Sequence, residues 1–310
     1  MKLTPKFISL GLSLLGLAVA TMDAAPVRVL YFTKSSGYEH SVVKIENGQP
    51  SYSERVLSKL APANDFQFTF SKDGSKFSPE YFAQFDVIMF YTSGDLLTAG
   101  TDRQPAVTPA GKQALLDAVA GGKGFVGLHS CSDTWHSGEH GAGNNPIREP
   151  RYHNYGAAAD PFVKMLGGEF IRHGAQQVAP AKVTDPAFPG FGELGSEVKV
   201  KEEWYTLKEF APNLHVLLVM DTKGMEGSDY ARPDYPIAWA RAYGKGRVAY
   251  NAMGHREDVW DSAAYQSMLV GAIKWAAGAA KADVTPNLDQ VAPGSATIQK
   301  WVAPPQPAKK

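Results

Sequence analysis

The sequence has one cysteine, Cys131, among 310 residues. It also has no excess of either charge, no internal repeat and, past its first 25 residues, no long apolar run. Each absence excludes something. A lone cysteine cannot close an internal disulfide, and the usual fate of such a residue is burial as a small apolar side chain. With 31 basic and 31 acidic residues the formal net charge is zero, so no field of one sign draws the chain to nucleic acid or to an anionic membrane surface. A neutral small molecule is the partner class that remains. No segment of the mature chain approaches the ~20 apolar residues that a membrane span requires.

What is present begins with a leader. Lys2 and Lys6 precede the stretch FISLGLSLLGLAVA, and Ala18-Val19-Ala20, or the DAA ending at Ala25, offers a small-residue cleavage site. That is the pattern of a secretory signal peptide over residues 1–25 and implies export to the periplasm. No cysteine follows the cleavage region, so a lipid anchor is not expected. Residues 26–279 read as one domain, and residues 280–310, rich in Pro, Ala and Lys, as an extended or disordered tail.

Within the domain, VRVLYF (27–32), FQFTFS (66–71), DVIMFY (86–91) and GFVGLH (124–129) are short apolar runs rich in β-branched and aromatic residues. Helical segments separate them. In TPAGKQALLDAVAGG (108–122), Thr108 can cap, Pro109 takes the first helical position and glycines close the end. The alternation predicts an α/β fold, a mostly parallel sheet with helices on both faces. Ligands of such sheets bind beyond the carboxyl ends of the strands.

That rule selects the loops at 33–40, 92–95 and 129–146, and the end of GRVAYNAMGH (246–255). Three of these four bring a histidine to the same edge: His40, His129 and His255. Neutral imidazole is a common ligand of zinc and of other divalent ions, and three protein ligands plus water make a catalytic site. The competing reading is that each histidine caps a turn or sits satisfied in the core. HSGEH (136–140) matches an inverted zinc-peptidase motif, but that motif needs a helix, and Gly138, Gly141, Gly143 and Pro146 argue against one. Trp135, Tyr155, Trp204 and Tyr205 lie beside the polar candidates, where flat apolar faces would suit a sugar ring; core packing is the alternative. Basic residues are not clustered near these motifs, which argues against phosphorylated sugars.

Five blocks in order, VLYFTKSSGYEHSVV, FVGLHSCSDTW, MLGGEFIRH, EEWYTL and YGKGRVAYNAMGHREDVW, resemble the trehalose-utilisation (ThuA-like) family over residues 27–279. The resemblance implies a class I glutamine amidotransferase-like, flavodoxin-like three-layer sandwich. In that fold a nucleophilic cysteine follows a Gly-x pair at the strand-to-helix elbow. Here Gly127-Leu128 is followed by His129, and Cys131 is displaced by two and lacks the glycine that lets such a turn close. Amidotransferase chemistry is therefore not expected, and Ser130 lacks the Gly-x-Ser-x-Gly frame of a serine hydrolase. The family carries Asp-Glu where this chain has Glu202-Glu203, which makes Glu203 the preferred carboxylate, as a further metal ligand or as a base. Asp133 and His173 are weaker candidates, Asp133 for catalysis and His173 for substrate.

The resemblance further implies a small-molecule carbohydrate partner in pathways that pass through 3-keto sugars. A divalent metal, zinc or another, together with a base could cleave a glycoside or 3-keto-glycoside by hydrolysis or elimination, with Glu203, His129 and Asp133 in catalytic roles. Two alternatives stand beside this: a non-catalytic carbohydrate-binding protein on the same fold, and conventional two-carboxylate glycoside hydrolysis.

Overall fold

The computed structural model describes Met1, residues 25–138 and residues 149–301. Residues 2–24, where the sequence suggests a leader, Glu139 and His140 of the HSGEH motif, and residues 302–310 lie outside the described residues. The strands are β1 (Val27–Phe32), β2 (Phe66–Ser71), β3 (Val87–Phe90), β4 (Gly124–Leu128), β5 (Glu169–His173), β6 (Gln177–Val183), β7 (Glu197–Glu202), β8 (Tyr205–Lys208), β9 (His215–Met220), β10 (Tyr235–Tyr243) and β11 (Gly246–Asn251). The helices are α1 (Tyr52–Leu60), α2 (Pro79–Ala83), α3 (Pro109–Ala120), α4 (Pro161–Leu166), α5 (Glu257–Asp261), α6 (Ala263–Ala276) and α7 (Leu288–Val291).

One large sheet runs in the order β2-β1-β3-β4-β11-β10-β9-β6-β7, and β5 pairs with β8 in a separate two-stranded antiparallel sheet. The β2 to β11 half is parallel and the β10 to β7 half antiparallel. The parallel half contains the apolar runs of the sequence: β3 and β4 are buried along their whole length, as strands covered by helices on both faces must be. Helix α3 begins as its sequence dictates. Thr108 Oγ1 accepts the Gly111 N–H at 2.9 Å, Pro109 opens the first turn, and the helix stops at Gly121. Helix α6 packs on β4 and β11 and is capped by Ser262.

The expectation of a loose tail from residue 280 is corrected for the part described. Helix α7 packs against β9, and Ser295 and Gln299 are buried. The reason is a buried guanidinium. Arg232 donates to the carbonyls of Leu207 and Ser295 at 2.7 and 2.9 Å, and Gln299 Nε2 donates to Thr206 Oγ1 at 3.0 Å, so the tail satisfies polar groups that β8 would otherwise leave bare.

Candidate metal centre

The carboxyl ends of β1, β4 and β11 deliver His40, His129 and His255 to one point, and Glu203, in the short link between β7 and β8, completes the group. One ligand atom from each of the four lies within 4.8 Å of the others. The imidazole nitrogens converge on Glu203 Oε2, with His255 Nδ1 at 3.0 Å, His129 Nε2 at 3.6 Å and His40 Nε2 at 3.9 Å. Two donors bound to one tetrahedral zinc ion at ~2.0–2.1 Å stand about 3.4 Å apart. The four side chains are near enough to one another to be a candidate ligand set for one ion. His129 Nε2 and His255 Nδ1 are buried and have no hydrogen-bond partner of acceptable geometry.

Each of the four side chains is held by its own support. His129 opens the 3-10 turn His129–Asp133 that follows β4, and its φ of +40° places a bulky side chain in the left-handed region, strain of ~1–3 kcal/mol that persists where surrounding structure enforces it. Its Nδ1 lies 2.7 Å from the Ala252 carbonyl. An imidazole must donate to a carbonyl, so Nδ1 carries the proton and Nε2 presents its lone pair to the cluster. His40 is buried, and burial pushes its pKa down to about 4 against the opposing pull of Glu203. At neutral pH it is an uncharged donor. Burial alone would raise the Glu203 carboxyl, but His129, His255 and His40 outweigh it and hold the group far below the usual carboxylate range.

Glu202, which the sequence offered only as a one-methylene departure from the family pattern, is a positioning residue. It is fully buried and accepts the N–H groups of Glu203 at 2.7 Å, Gly254 at 2.8 Å and His255 at 3.2 Å. It thus fixes two ligands at once. The Gly254 carbonyl in turn accepts from Tyr91 at 3.1 Å and Trp260 at 2.8 Å, which leaves the turn bearing His255 little freedom. Tyr205 packs its ring 4.2 Å from that of His129, and His173 lies at the mouth, with Nδ1 3.4 Å from Glu203 Oε1 and its side chain 40% exposed.

The expected sugar platform is corrected. Trp135 and Trp204 are buried in the core, where Trp135 packs against Phe162 and Trp204 donates its indole N–H to the Gln177 carbonyl at 2.9 Å. Neither has a face for a ligand, because burial of so large an apolar area outweighs surface display. Tyr205 is a wall of the cluster, and Tyr155 lies beneath Lys208, whose Nζ is 4.8 Å from its ring centre. The exposed aromatic near the site is Tyr38, edge-on to His40 at 4.9 Å. Cys131 is fully buried, and burial pushes its thiol well above the ordinary value, the opposite of what a nucleophile needs.

Asp133 ends the turn that His129 begins. Its Oδ1 is 2.5 Å from His136 Nε2, and His136 Nδ1 is 2.8 Å from Glu169 Oε1. His136, the first residue of the HSGEH motif, is buried between two carboxylates. Its partner Glu169 is 33 residues away and left no local signal.

The structure resembles two crystal structures described only as ThuA-like. One, from Bacteroides uniformis, has a TM-score of 0.58 at 20% identity, covering 83% of this chain and 94% of that one. The other, from Parabacteroides merdae, has a TM-score of 0.53 at 17% identity, covering 89% and 98%. These likenesses speak for the fold. No curated protein matches the chain. The family described as ThuA, trehalose utilisation, matches residues 28–276, nearly all of the region carrying the sheet and the histidine cluster. The chain belongs to the ThuA family of trehalose utilisation, and its role is in carbohydrate use.

Proposed function

We propose that the protein is an exported, metal-dependent enzyme that cleaves a glycoside or 3-keto-glycoside. The observation that carries this reading is the convergence of three imidazoles and one carboxylate, with two of the imidazole nitrogens buried and free of hydrogen bonds. The donor set of three nitrogens and one oxygen suits zinc and neighbouring first-row ions. When bound, such an ion supplies Lewis acidity to a carbonyl or hydroxyl oxygen of the substrate.

In a 3-keto-glycoside the ketone acidifies the hydrogen at C2. A base takes that proton, the C–H electron pair forms the C1–C2 double bond, and the C1–O bond breaks with its electrons on the departing oxygen, which is then protonated. Elimination of this kind needs one base and one electrophile, where ordinary glycosidases need two facing carboxylates. Glu203 is engaged by the imidazoles as a ligand, and His173 at the mouth is placed to meet substrate hydroxyls. The leader-like residues 1–25 support export.

Metal content of the purified mature protein, measured by plasma mass spectrometry, tests the reading. Near-stoichiometric zinc, manganese or nickel is expected in the wild type and lost in both His129→Ala and His255→Ala, with 3-keto-trehalose consumed only without chelator. A protein that stays metal-free after incubation with these ions would overturn the metal mechanism and leave sugar binding without catalysis as the better account.

A further inference from the structure

Beside the cluster lies a second charged group, almost wholly sealed from solvent. The side chains of His136, Glu169 and Lys208 are each 2% exposed or less, and Asp133 is 16% exposed. Both ring nitrogens of His136 face carboxylate oxygens, Asp133 Oδ1 at 2.5 Å and Glu169 Oε1 at 2.8 Å. A neutral imidazole has one N–H. It would set a bare lone pair against one of these oxygens, whereas an imidazolium donates to both.

The charges around the ring agree with this. Glu169 also accepts the Ser137 N–H at 3.0 Å and has Lys208 Nζ 3.3 Å from its other oxygen, and Arg151 approaches Asp133 Oδ1 at 3.5 Å. Burial and Arg151 act to lower the His136 pKa, and the two carboxylates more than reverse them, so it is raised. The backbone helps: Trp135, between Asp133 and His136, has a φ of +50°, a strained conformation that turns the chain back so that residues three apart can pair.

Only Asp133 leads outward from this group. It is the most exposed member and ends the turn that begins at His129. Burial first, with Glu203 and Asp133 adding to it, pushes up the phenol of Tyr205, the residue that packs against His129. Among the described residues, the hydrogen bond and ion pairs of Asp133 go to Oδ1.

We propose that Asp133 is the base that takes the C2 proton, and that His136, backed by Glu169, is a positioning residue that holds the Asp133 carboxylate in place. This rests on the cleavage reading above. Asp133 Oδ2 takes the proton from C2, the C–H electron pair becomes the C1–C2 double bond, the C1–O bond breaks, and the same proton passes from Asp133 to the departing oxygen. Asp133 ends as it began, and His136 keeps its proton throughout because Glu169 still requires it.

Two measurements on the full mature protein decide the matter. Nitrogen-15 NMR of the metal-free protein is expected to show His136 protonated on both nitrogens at pH 7 and to lose that signature in Glu169→Gln. A single neutral tautomer in the wild type would overturn the relay. With the metal-loaded protein and 3-keto-trehalose, Asp133→Asn is expected to lower kcat by about 10²–10⁴-fold, with Asp133→Glu recovering part of it. His136→Gln is expected to lower kcat by roughly 10–100-fold, the range of supporting residues behind a reactive group, with KM and metal content unchanged and the acid limb of the pH profile moved to higher pH. Wild-type kcat and pH profile in His136→Gln would overturn its positioning role. Absence of both metal and turnover in the wild type would overturn the cluster reading and the role of Asp133 as base together, whereas metal uptake with a neutral His136 would overturn the relay alone.

Discussion

Gly94 offers a sharp test of how the loops of the site are fastened together. It follows β3, has φ +80°, and sits where the loops after β1, β3 and β4 meet. Its N–H donates to the Asp133 carbonyl at 2.8 Å and its carbonyl accepts from Trp135 at 3.3 Å, while the neighbouring Ser93 carbonyl accepts from Ser36 and Gly37 at 2.7 and 3.0 Å. A Cβ at Gly94 would stand 2.3 Å from Gly37 N and 2.6 Å from Ser36 C. These are backbone atoms, so about 1 Å of separation between the loops would be needed to restore ordinary contact distances. That shift breaks the pair of hydrogen bonds to Ser93, worth about 1 kcal/mol each, on top of about 1–2 kcal/mol for an alanine in the left-handed region. Gly94→Ala should therefore destabilise the protein by roughly 3–4 kcal/mol. Gly224 provides the control, since its φ is +83° but a Cβ there meets nothing within 4 Å. Gly224→Ala should show only the conformational cost, about 1–2 kcal/mol. The assay is urea unfolding with the slope checked for constancy. Equal losses at the two positions would refute the claim that close approach of the loops at Gly94 holds the site together.

Two further outcomes follow from the buried carboxylates. Glu202→Gln keeps the shape but turns an amide toward backbone N–H groups that now donate to a carboxylate; it should cost about 1–3 kcal/mol and weaken zinc binding by roughly 10–100-fold through misplacement of His255. Unchanged affinity in a zinc titration would remove its positioning role. Glu169 has its pKa held down to about 2, from 4.5: burial opposes this, and His136 and Lys208 prevail. A depressed carboxyl stabilises the fold fully above its unfolded value and loses that contribution as the pH falls from about 4.5 toward 2. The shift corresponds to roughly 3 kcal/mol. The stability difference between wild type and Glu169→Gln should shrink accordingly between pH 7 and pH 3, and a difference that does not change with pH would contradict the ion-pair account.

The parallel half of the sheet was legible because doubly covered strands must be apolar throughout. VRVLYF, FQFTFS and GFVGL read as strands and are strands, and the rule that ligands gather at strand ends pointed to the same edge on which His40, His129 and His255 meet. The antiparallel half was less legible. EVKVKE in β7 alternates as a strand exposed on one face, and nothing in that pattern shows that Glu202, its last residue, and Glu203 are buried, with Glu202 held by the N–H groups of Gly254 and His255. The tryptophans misled for a different reason: proximity in sequence to polar motifs says nothing about which way a large ring turns, and burial area decides it. The pairing of His136 with Glu169 was illegible, since it depends on the two-stranded β5–β8 sheet lying beside the turn after β4.

The strand order carries a consequence for synthesis. β11 lies between β4 and β10 at the centre of the sheet, although it is the last strand among the described residues. A growing chain that has completed β1 to β4 therefore presents GFVGL as a bare, wholly apolar edge for more than a hundred residues, the kind of edge that recruits other strands. The histidine cluster cannot exist before β11 arrives, so a chain able to assemble it is one whose most vulnerable edge has already been closed.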